Sequence, residues 1–156
     1  MIFKIDSTSR DAVNAFITRQ WFTLDMVVHG ESIDLSMSDG FYSYENEEIN
    51  GLITYRIKDN EMEILSLDSL LPNKGYGTEL LNKAIHKARN IGCHRIMLIT
   101  TNDNLNALRF YQKRGFNIVK LYRNAVDESR KLKPQIPFVG MDNIPIRHEI
   151  ELELIL

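Results

Sequence analysis

The sequence predicts a mixed α/β sandwich, in which a central sheet carries helices on both faces. Three patterns support this fold class. Apolar residues recur along one side of a helix from Leu80 to Ile91. The apolar Ile-Met-Leu-Ile core of the segment 94–101 is typical of a buried strand. Apolar and charged residues alternate over 146–154, as in a strand with one buried face.

The first half of the chain is predicted to be rich in strands. A capping box of Thr8 and Asp11 is expected to begin the first helix, which buries Val13, Phe16 and Ile17. The other predicted elements are a strand at 2–5, a short second helix or turn at 21–28, antiparallel strands at 41–45 and 49–58, a turn at Asp59–Asn60 and a strand at 61–69.

The second half is predicted to alternate helices and strands. The elements are a helix after Gly77 ended by Gly92, a strand at 94–101, a helix at 104–114 ended by Gly115, a strand at 116–122, a short helix at 124–131, an irregular stretch marked by Pro134, Pro137, Gly140 and Pro145, and the final strand. On that strand Ile146, His148, Ile150, Leu152 and Leu154 form the predicted buried face, and Arg147, Glu149, Glu151 and Glu153 the predicted solvent face.

The bulk properties favour one ordinary globular domain spanning 1–156. The chain has 156 residues, 44% hydrophobic and 26% charged, and a net charge of −2, which argues against a nucleic-acid binder. No apolar run approaches the ~20 residues that span a bilayer, and no secretory signal is evident at the start, so a cytoplasmic location is expected. Cys93 is the single cysteine, and the four histidines lack the paired spacing of a metal site.

A strand that runs into a glycine-bearing turn and then directly into a helix predicts a phosphate cradle around Gly75 and Gly77. The start of a helix presents N–H groups without partners and partial positive charge, and glycine lets a ligand approach the backbone closely. A P-loop is excluded because Lys74 precedes the glycines. A dinucleotide fingerprint is excluded because Leu80 occupies the place of its third glycine.

Two motifs about thirty residues apart resemble those of the GNAT N-acetyltransferase family. The segment 73–78 resembles the family loop that binds the CoA pyrophosphate, although the Arg or Gln of that loop falls at Pro72 here. The second motif is carried by Asn104, Ala107, Tyr111, Gly115 and Phe116. The resemblance covers residues 49–122 and implies a central, mostly antiparallel mixed sheet flanked by helices.

The resemblance implies acetyl-CoA as co-substrate and transfer of its acetyl group to a primary amine by direct attack. The residues it implies for CoA binding are Leu67, Asp68, Ser69, Lys74, Gly75, Tyr76, Gly77, Thr78, Asn104 and Ala107. Leu67, Asp68 and Ser69 would offer backbone groups to the pantetheine arm. Asn104 is equally explained as the N-cap of its helix.

Acyl transfer to an amine needs a base, because a primary amine with a pKa near ~10.4 is mostly protonated at neutral pH. Glu63 is the candidate base, and Glu61, two residues earlier, is the second choice. Tyr111 is the candidate acid for the departing thiolate. The alternatives are solvated carboxylates near a strand end and a tyrosine that packs a helix on the sheet.

Two other functions remain open at this stage. The chain could be a CoA-binding regulatory or interaction module without turnover, or a homodimer that associates through its last strand. The segment 129–149 is either the wall of an acceptor groove or a surface excursion with solvated charges. The acceptor itself, a small-molecule or peptide amine, is not specified, because variable loops build such pockets.

Overall fold

The computed structural model describes residues 1–71 and 74–156. The fold is mixed α/β, with a large, mostly antiparallel mixed sheet flanked by helices, and the predicted fold class is confirmed. The strands are β1 (Ile2–Lys4), β2 (Asp25–Val28), β3 (Glu31–Asp34), β4 (Asp39–Glu45), β5 (Glu48–Lys58), β6 (Glu61–Ser69), β7 (Arg95–Thr101), β8 (Asn117–Tyr122) and β9 (Glu149–Ile155). The helices are α1 (Arg10–Trp21), α2 (Tyr76–Asn90), α3 (Leu105–Lys113) and α4 (Ala125–Leu132).

The chain divides into two compact units, which are described separately. Unit 1 comprises Met1–Asp25, Asp34–Ile96 and Leu156, and unit 2 comprises Met26–Ile33 and Met97–Ile155. Among the described residues, no helix combines the length and the apolar character that a membrane crossing requires.

Unit 1 contains four antiparallel strands in the order β1-β4-β5-β6. The two hairpins that join β4 to β5 and β5 to β6 turn at Asn46–Glu47 and Asp59–Asn60, and all four turn residues have positive φ. Two-residue turns with positive φ match the right-handed twist of paired strands. The predicted strands and the Asp59–Asn60 turn are therefore confirmed.

Strand β5 lies at the centre of the unit 1 core. Residues Ile49–Tyr55 are all buried, and both α1 and α2 contact this strand. Continuous burial without alternation means that both faces of β5 are covered. The helices contribute the apolar stripes that the sequence predicts, with buried residues Val13, Phe16 and Ile17 from α1 and Leu80, Leu81, Ala84, Ile85 and Ala88 from α2.

The predicted capping box at Thr8 is wrong. Helix α1 begins at Arg10, and its N-cap is Ser9, which makes no side-chain cap hydrogen bond. Asp6 instead accepts hydrogen bonds from the backbone N–H groups of Thr8 at 2.9 Å and Ser9 at 3.0 Å. A carboxylate is a stronger acceptor than a hydroxyl, and Asp6 also takes the hydroxyl of Thr8 itself. The turn before the helix is thus closed by Asp6.

The prediction of a short helix or turn at 21–28 is wrong for Asp25–Val28, which form a strand. Helix α1 continues to Trp21 and ends at Phe22, which adopts the left-handed conformation at φ 64°. Strands β2 and β3 follow as a hairpin whose turn, His29 and Gly30, has positive φ at both residues. The run Met-Val-Val favours a strand through its β-branched side chains.

In unit 2, the order β7-β9-β8 places the terminal strand between two others. The predicted solvent face of that strand is wrong at Glu149, which is only 3% exposed. The backbone N–H of His29 donates to Glu149 Oε2 at 2.9 Å, and the His29 ring lies 3.4 Å from Oε1. The hairpin that carries His29 therefore covers a face that local alternation marks as solvated.

Candidate active site

In unit 1, strand β6 contains a β-bulge at Leu65. The pairing with β5 runs from Gly51↔Ser69 to Thr54↔Ser66 and resumes at Tyr55↔Ile64, so Leu65 has no partner residue on β5. One extra residue reverses the alternation of side chains along a strand. Strand β6 is nevertheless paired with β5 to its end, because the N–H of Leu70 donates to Asn50 at 2.7 Å.

The bulge brings Asp68 onto the face that carries Glu63. Residues that are directly opposite in an antiparallel pair share a face. Glu63 is paired with Arg56, and Asp68 with Leu52. Arg56 and Leu52 are four residues apart on β5 and so lie on one side of it. Without the bulge, Asp68 would point to the other side.

The helix start at Gly75 has the backbone geometry of a phosphate cradle. Gly75 is the N-cap of α2 in the left-handed conformation at φ 78°, and its carbonyl accepts the first helical hydrogen bond, from Glu79, at 3.0 Å. Among the described residues other than its chain neighbours, no atom lies within 4 Å of a Cβ placed on Gly75. Glycine provides no side chain that could cap the first N–H groups of the helix, at Tyr76 and Gly77.

The other residues of the predicted loop differ in what they offer. The Tyr76 hydroxyl donates to Glu45 Oε2 at 2.6 Å, and this hydrogen bond to a carboxylate raises the pKa of Tyr76. Its side chain ties the first turn of α2 to the end of β4 and leaves only its backbone for a ligand. Lys74 is exposed, and Thr78 is half-buried. Pro72 and Asn73 lie outside the described residues.

Two carboxylates compete for the role of base on β6. The Arg56 Nε lies 2.8 Å from Glu63 Oε1, across the hairpin, and the Glu63 side chain is 16% exposed. Glu61 accepts from Arg95 at 2.9 Å and contacts His94 at 3.2 Å. The hydrogen bond from Arg95, with its charge and that of His94, lowers the pKa of Glu61 and makes it a poorer proton acceptor. Both carboxylates are paired with an arginine, and the choice of Glu63 as the base, with Glu61 second, stays a prediction.

Asp68 makes a side-chain contact that sequence reasoning missed. The Trp21 Nε1 donates to Asp68 Oδ2 at 3.1 Å. Burial raises the pKa of Asp68, and the indole hydrogen bond opposes this rise. Forty-seven residues separate the two partners, so no local pattern indicates the pair.

In unit 2, Asn104 caps helix α3. Its side-chain oxygen accepts from the backbone N–H of Ala107 at 3.1 Å. This is the structural role that the sequence offers as an alternative to a ligand contact. The side-chain oxygen of Asn104 and the N–H of Ala107 are therefore bonded to each other. A contact to CoA would have to use the side-chain amide nitrogen of Asn104 or other backbone atoms of these residues.

Tyr111 is 5% exposed and lies in an aromatic cluster. Its ring meets Phe110 edge-on at 5.1 Å and Phe116 at 5.2 Å, and its carbonyl accepts the N–H of Phe116 at 3.1 Å. This is the packing role that the sequence offers as an alternative. The role of Tyr111 as a proton donor stays a prediction.

The polar run before α3 anchors a loop. Asn102 accepts the N–H groups of Arg147 and His148, both at 2.9 Å, and donates to Pro145 at 2.9 Å. Asp103, only 4% exposed, accepts from the Thr101 hydroxyl at 2.5 Å and the Met141 N–H at 3.0 Å. These side chains are therefore used by the protein itself.

The segment 129–149 is organised around Arg130. Its guanidinium donates to the carbonyls of Pro137 and Ile146, both at 2.8 Å, and lies 4.5 Å from the centre of the Phe138 ring. These contacts hold the segment to Arg130, and whether it is an acceptor wall or a surface excursion with solvated charges stays open. A role in acceptor binding stays a prediction. Elsewhere in the described chain, no group of three or more potential metal ligands is found.

A family model described as "Acetyltransferase (GNAT) family" matches residues 11–116 of the chain. The chain belongs to this GNAT family. The uncharacterized protein YdhI of Bacillus subtilis (strain 168) is 42% identical over 151 residues, which are 96% of this chain and 94% of YdhI.

Solved structures share the GNAT fold. A Bacillus subtilis acetyltransferase in complex with CoA matches with a TM-score of 0.70 and 20% identity, over 99% of this chain and 97% of that chain. A GNAT acetyltransferase from Elizabethkingia anophelis with acetyl-CoA bound matches with a TM-score of 0.70 and 21% identity, over 100% of this chain and 97% of that one. The sequence-based recognition of the family is confirmed.

Proposed function

We propose that this GNAT chain is an N-acetyltransferase that transfers the acetyl group of acetyl-CoA to a primary amine of a small molecule or peptide. The observation that supports this function most directly is the start of α2. Gly75 combines a left-handed N-cap with unoccupied space where a Cβ would be, so a diphosphate can approach the N–H groups of the first turn. CoA carries such a diphosphate, and the two structural neighbours described above contain CoA or acetyl-CoA.

The end of β6 would contact the pantetheine arm. The β5-facing edge of Leu67, Asp68 and Ser69 is already paired. Any main-chain hydrogen bond from these residues to a ligand must therefore come from the opposite edge of the strand. Pantetheine contains two amide groups and can extend along such an edge in the manner of a short strand.

The proposed reaction is one nucleophilic substitution. The lone pair of the amine nitrogen attacks the thioester carbonyl, a C–N bond forms, and the C–S bond breaks as the CoA thiolate leaves. Glu63, directly or through water, takes the proton that the amine loses. Tyr111 gives a proton to the thiolate. The ion pair of Glu63 with Arg56 fixes the carboxylate on its face of β6.

The cradle is tested by the variant Gly75→Ala, with Gly92→Ala as its matched control. Both glycines flank α2 and both have positive φ, at 78° and 84°. On gaining a Cβ, neither would meet an atom of the described residues beyond its chain neighbours within 4 Å. The conformational strain should destabilise each variant by a similar amount, about 1–2 kcal/mol. Only the added methyl at Gly75 would stand where the diphosphate binds.

Thermal unfolding with acetyl-CoA, with CoA and without ligand is the measurement. At a hundredfold excess over Kd, bound ligand should stabilise the wild type by about 2.7 kcal/mol. We expect this shift to persist in Gly92→Ala and to be largely lost in Gly75→Ala. Equal shifts in both variants would remove Gly75 from the site. No shift in the wild type at millimolar ligand would refute the enzyme and leave an interaction module.

The catalytic roles are tested by turnover, followed as thiol release with a panel of primary amines. Tyr111→Phe removes the proton donor and keeps the aromatic packing, so kcat should fall about 10²-fold or more with little change in acetyl-CoA binding. Glu63→Gln should act similarly, and Glu61→Gln is its control on the same strand. Unchanged turnover in either of the first two variants would remove that residue from the mechanism.

A further inference from the structure

Asp68 is a carboxylate that the protein leaves without a charged partner. It is partly buried near the end of β6, and its side chain accepts one hydrogen bond, from the neutral indole N–H of Trp21. Within residues 1–71 and 74–156, no lysine, arginine or histidine forms an ion pair with it. Withdrawing a carboxylate from water without a cation is costly, so such a group is a candidate for ligand binding.

The position of Asp68 relates it to the proposed chemistry. The bulge at Leu65 places it on the face of β6 that carries Glu63. Their partners on β5 are four residues apart, which corresponds to about 13 Å along the strand. The same face thus presents two carboxylates held by arginines, Glu61 and Glu63, and a third, Asp68, without a cation.

Trp21 adds an aromatic surface beside this carboxylate. It is the last residue of α1 and is 52% exposed, although its indole nitrogen is fixed on Asp68. An indole whose N–H is held in place and whose ring still reaches solvent can bind a cation over its face. A carboxylate and an aromatic ring are together a common means of recognising an alkylammonium group.

We propose that Asp68 and Trp21 form a subsite that binds an alkylammonium group of the acceptor. The proposal rests on the proposed function, because it names the chemical class of the acceptor for that reaction. The bound ammonium supplies the positive charge that the described residues do not place next to Asp68. Because Asp68 lies about 13 Å from Glu63 along the strand, the bound ammonium is a second amine of the acceptor and not the amine that reacts.

The raised pKa of Asp68 agrees with this role. Burial without a cation disfavours the ionised carboxylate, and a bound ammonium would favour it again. Amine binding should therefore strengthen as the pH rises through the pKa of Asp68 and release its proton. A carboxylate with a purely structural hydrogen bond to Trp21 would show no such dependence on added amine.

Trp21 itself reports the test, because it is the single tryptophan of the sequence. Its fluorescence is measured without acetyl-CoA while 1,5-diaminopentane, 5-amino-1-pentanol or 1-pentanol is added. We expect a saturable change with the diamine and none with the alcohol. Asp68→Asn should weaken the diamine affinity about tenfold or more, equivalent to ~1.4 kcal/mol. Asp59→Asn, in an exposed turn where asparagine tolerates positive φ, is the control and should match the wild type.

The amino alcohol tests whether one ammonium group is sufficient for binding. Since the subsite is proposed to hold a single ammonium, the amino alcohol should bind about as well as the diamine. A response to the diamine alone would overturn the proposal. An equal response to 1-pentanol, an unchanged diamine affinity in Asp68→Asn, or no response to any of the probes would overturn the proposal.

A kinetic readout separates recognition from folding. Trp21→Phe keeps an aromatic ring but loses the N–H donor, and Trp21→Leu loses the ring too. We expect KM for the amine to rise in that order while KM for acetyl-CoA stays constant; parallel changes in both constants would point to a folding defect and refute the subsite. Binding of the diamine by a protein that shows no thermal shift with acetyl-CoA would support the subsite and refute the proposed function.

Discussion

Asp68 and Asp103 are both carboxylates at or just beyond the end of a strand, and the protein treats them in opposite ways. Asp103 is buried and satisfied from both sides, by the Thr101 hydroxyl at 2.5 Å and the Met141 N–H at 3.0 Å. Asp68 has one neutral indole donor. Burial alone therefore does not identify a functional carboxylate. What distinguishes the two is whether the fold already supplies the partners that the charge requires.

The same contrast holds for the surrounding segments. The segment after β7 uses its polar side chains to hold the loop up to His148. The Asn102 side chain alone donates one hydrogen bond to this loop and accepts two from it. The segment after β6 enters α2 through a glycine with no capping side chain. The polar side chains of the first segment thus anchor a loop, while the glycine before α2 supplies no capping side chain.

The largest expected effect is that of Gly140→Ala, which tests how firmly Asp103 is held. A Cβ on Gly140 would overlap Asp103 Oδ2 and lie 2.8 Å from Ile146 Cδ1. Asp103 would have to move and give up hydrogen bonds to a buried charge. We expect a loss of about 3 kcal/mol in the free energy of unfolding, measured by urea denaturation.

The control for this prediction is a double-mutant cycle with Asp103→Ala. That substitution removes the two atoms nearest to the new methyl group, so Gly140→Ala should cost less in its background. Strictly additive costs would show that the strain lies elsewhere and that Asp103 is not the anchor.

The next largest expected effect is the difference in stability between Asp103→Asn and Asp68→Asn. In the first variant one carboxylate oxygen becomes an NH₂ group facing a donor, which should cost about 1–3 kcal/mol. In the second, the amide oxygen still accepts from Trp21 and the uncompensated charge disappears. We therefore expect Asp68→Asn to unfold at the same or a higher Tm at neutral pH. A clear loss of stability would mean that Asp68 already has its counter-charge in the folded protein.

The pH dependence sharpens this comparison. A carboxyl group whose folded-state pKa lies above its unfolded value of 3.8 contributes stability below that value, and the contribution is lost as the pH rises through the folded pKa. The difference in unfolding free energy between Asp68→Asn and the wild type should thus shift in favour of the variant as the pH rises above 3.8. A difference that is independent of pH would contradict a raised pKa.

Local sequence patterns were sufficient for most elements of the fold. The bounds of β6, the Asp59–Asn60 turn and the helix ends at Gly92 and Gly115 all follow from neighbouring residues, because alternation, turn propensity and capping are local properties. The hairpin that buries Glu149 was missed for the opposite reason. His29 and Glu149 are 120 residues apart, and no periodicity connects them.

The same distinction between local patterns and contacts of distant residues applies to the candidate site. Gly75 and the Asn104 cap could be predicted, since each depends on the helix that follows directly. The side of β6 on which Asp68 lies could not, because the single-residue bulge at Leu65 carries no glycine or proline to mark it. Its pairing with Trp21 requires the packing of α1 and was equally invisible in the sequence.

The smallest expected effect is that of Glu61→Gln, whose pH dependence has the opposite sign to that of Asp68→Asn. Arg95 and His94 lower the pKa of Glu61 below 4.5, so its contribution to stability is present above that value and is lost as the pH falls. Because the Glu61 side chain is 31% exposed, the variant should lose less than about 1 kcal/mol at neutral pH and should match the wild type in acid. Urea denaturation of both variants across the same pH range measures the two slopes together. Parallel curves would show that Glu61 and Asp68 have equivalent environments. The proposed difference between a carboxylate with a cationic partner and one without would then be wrong.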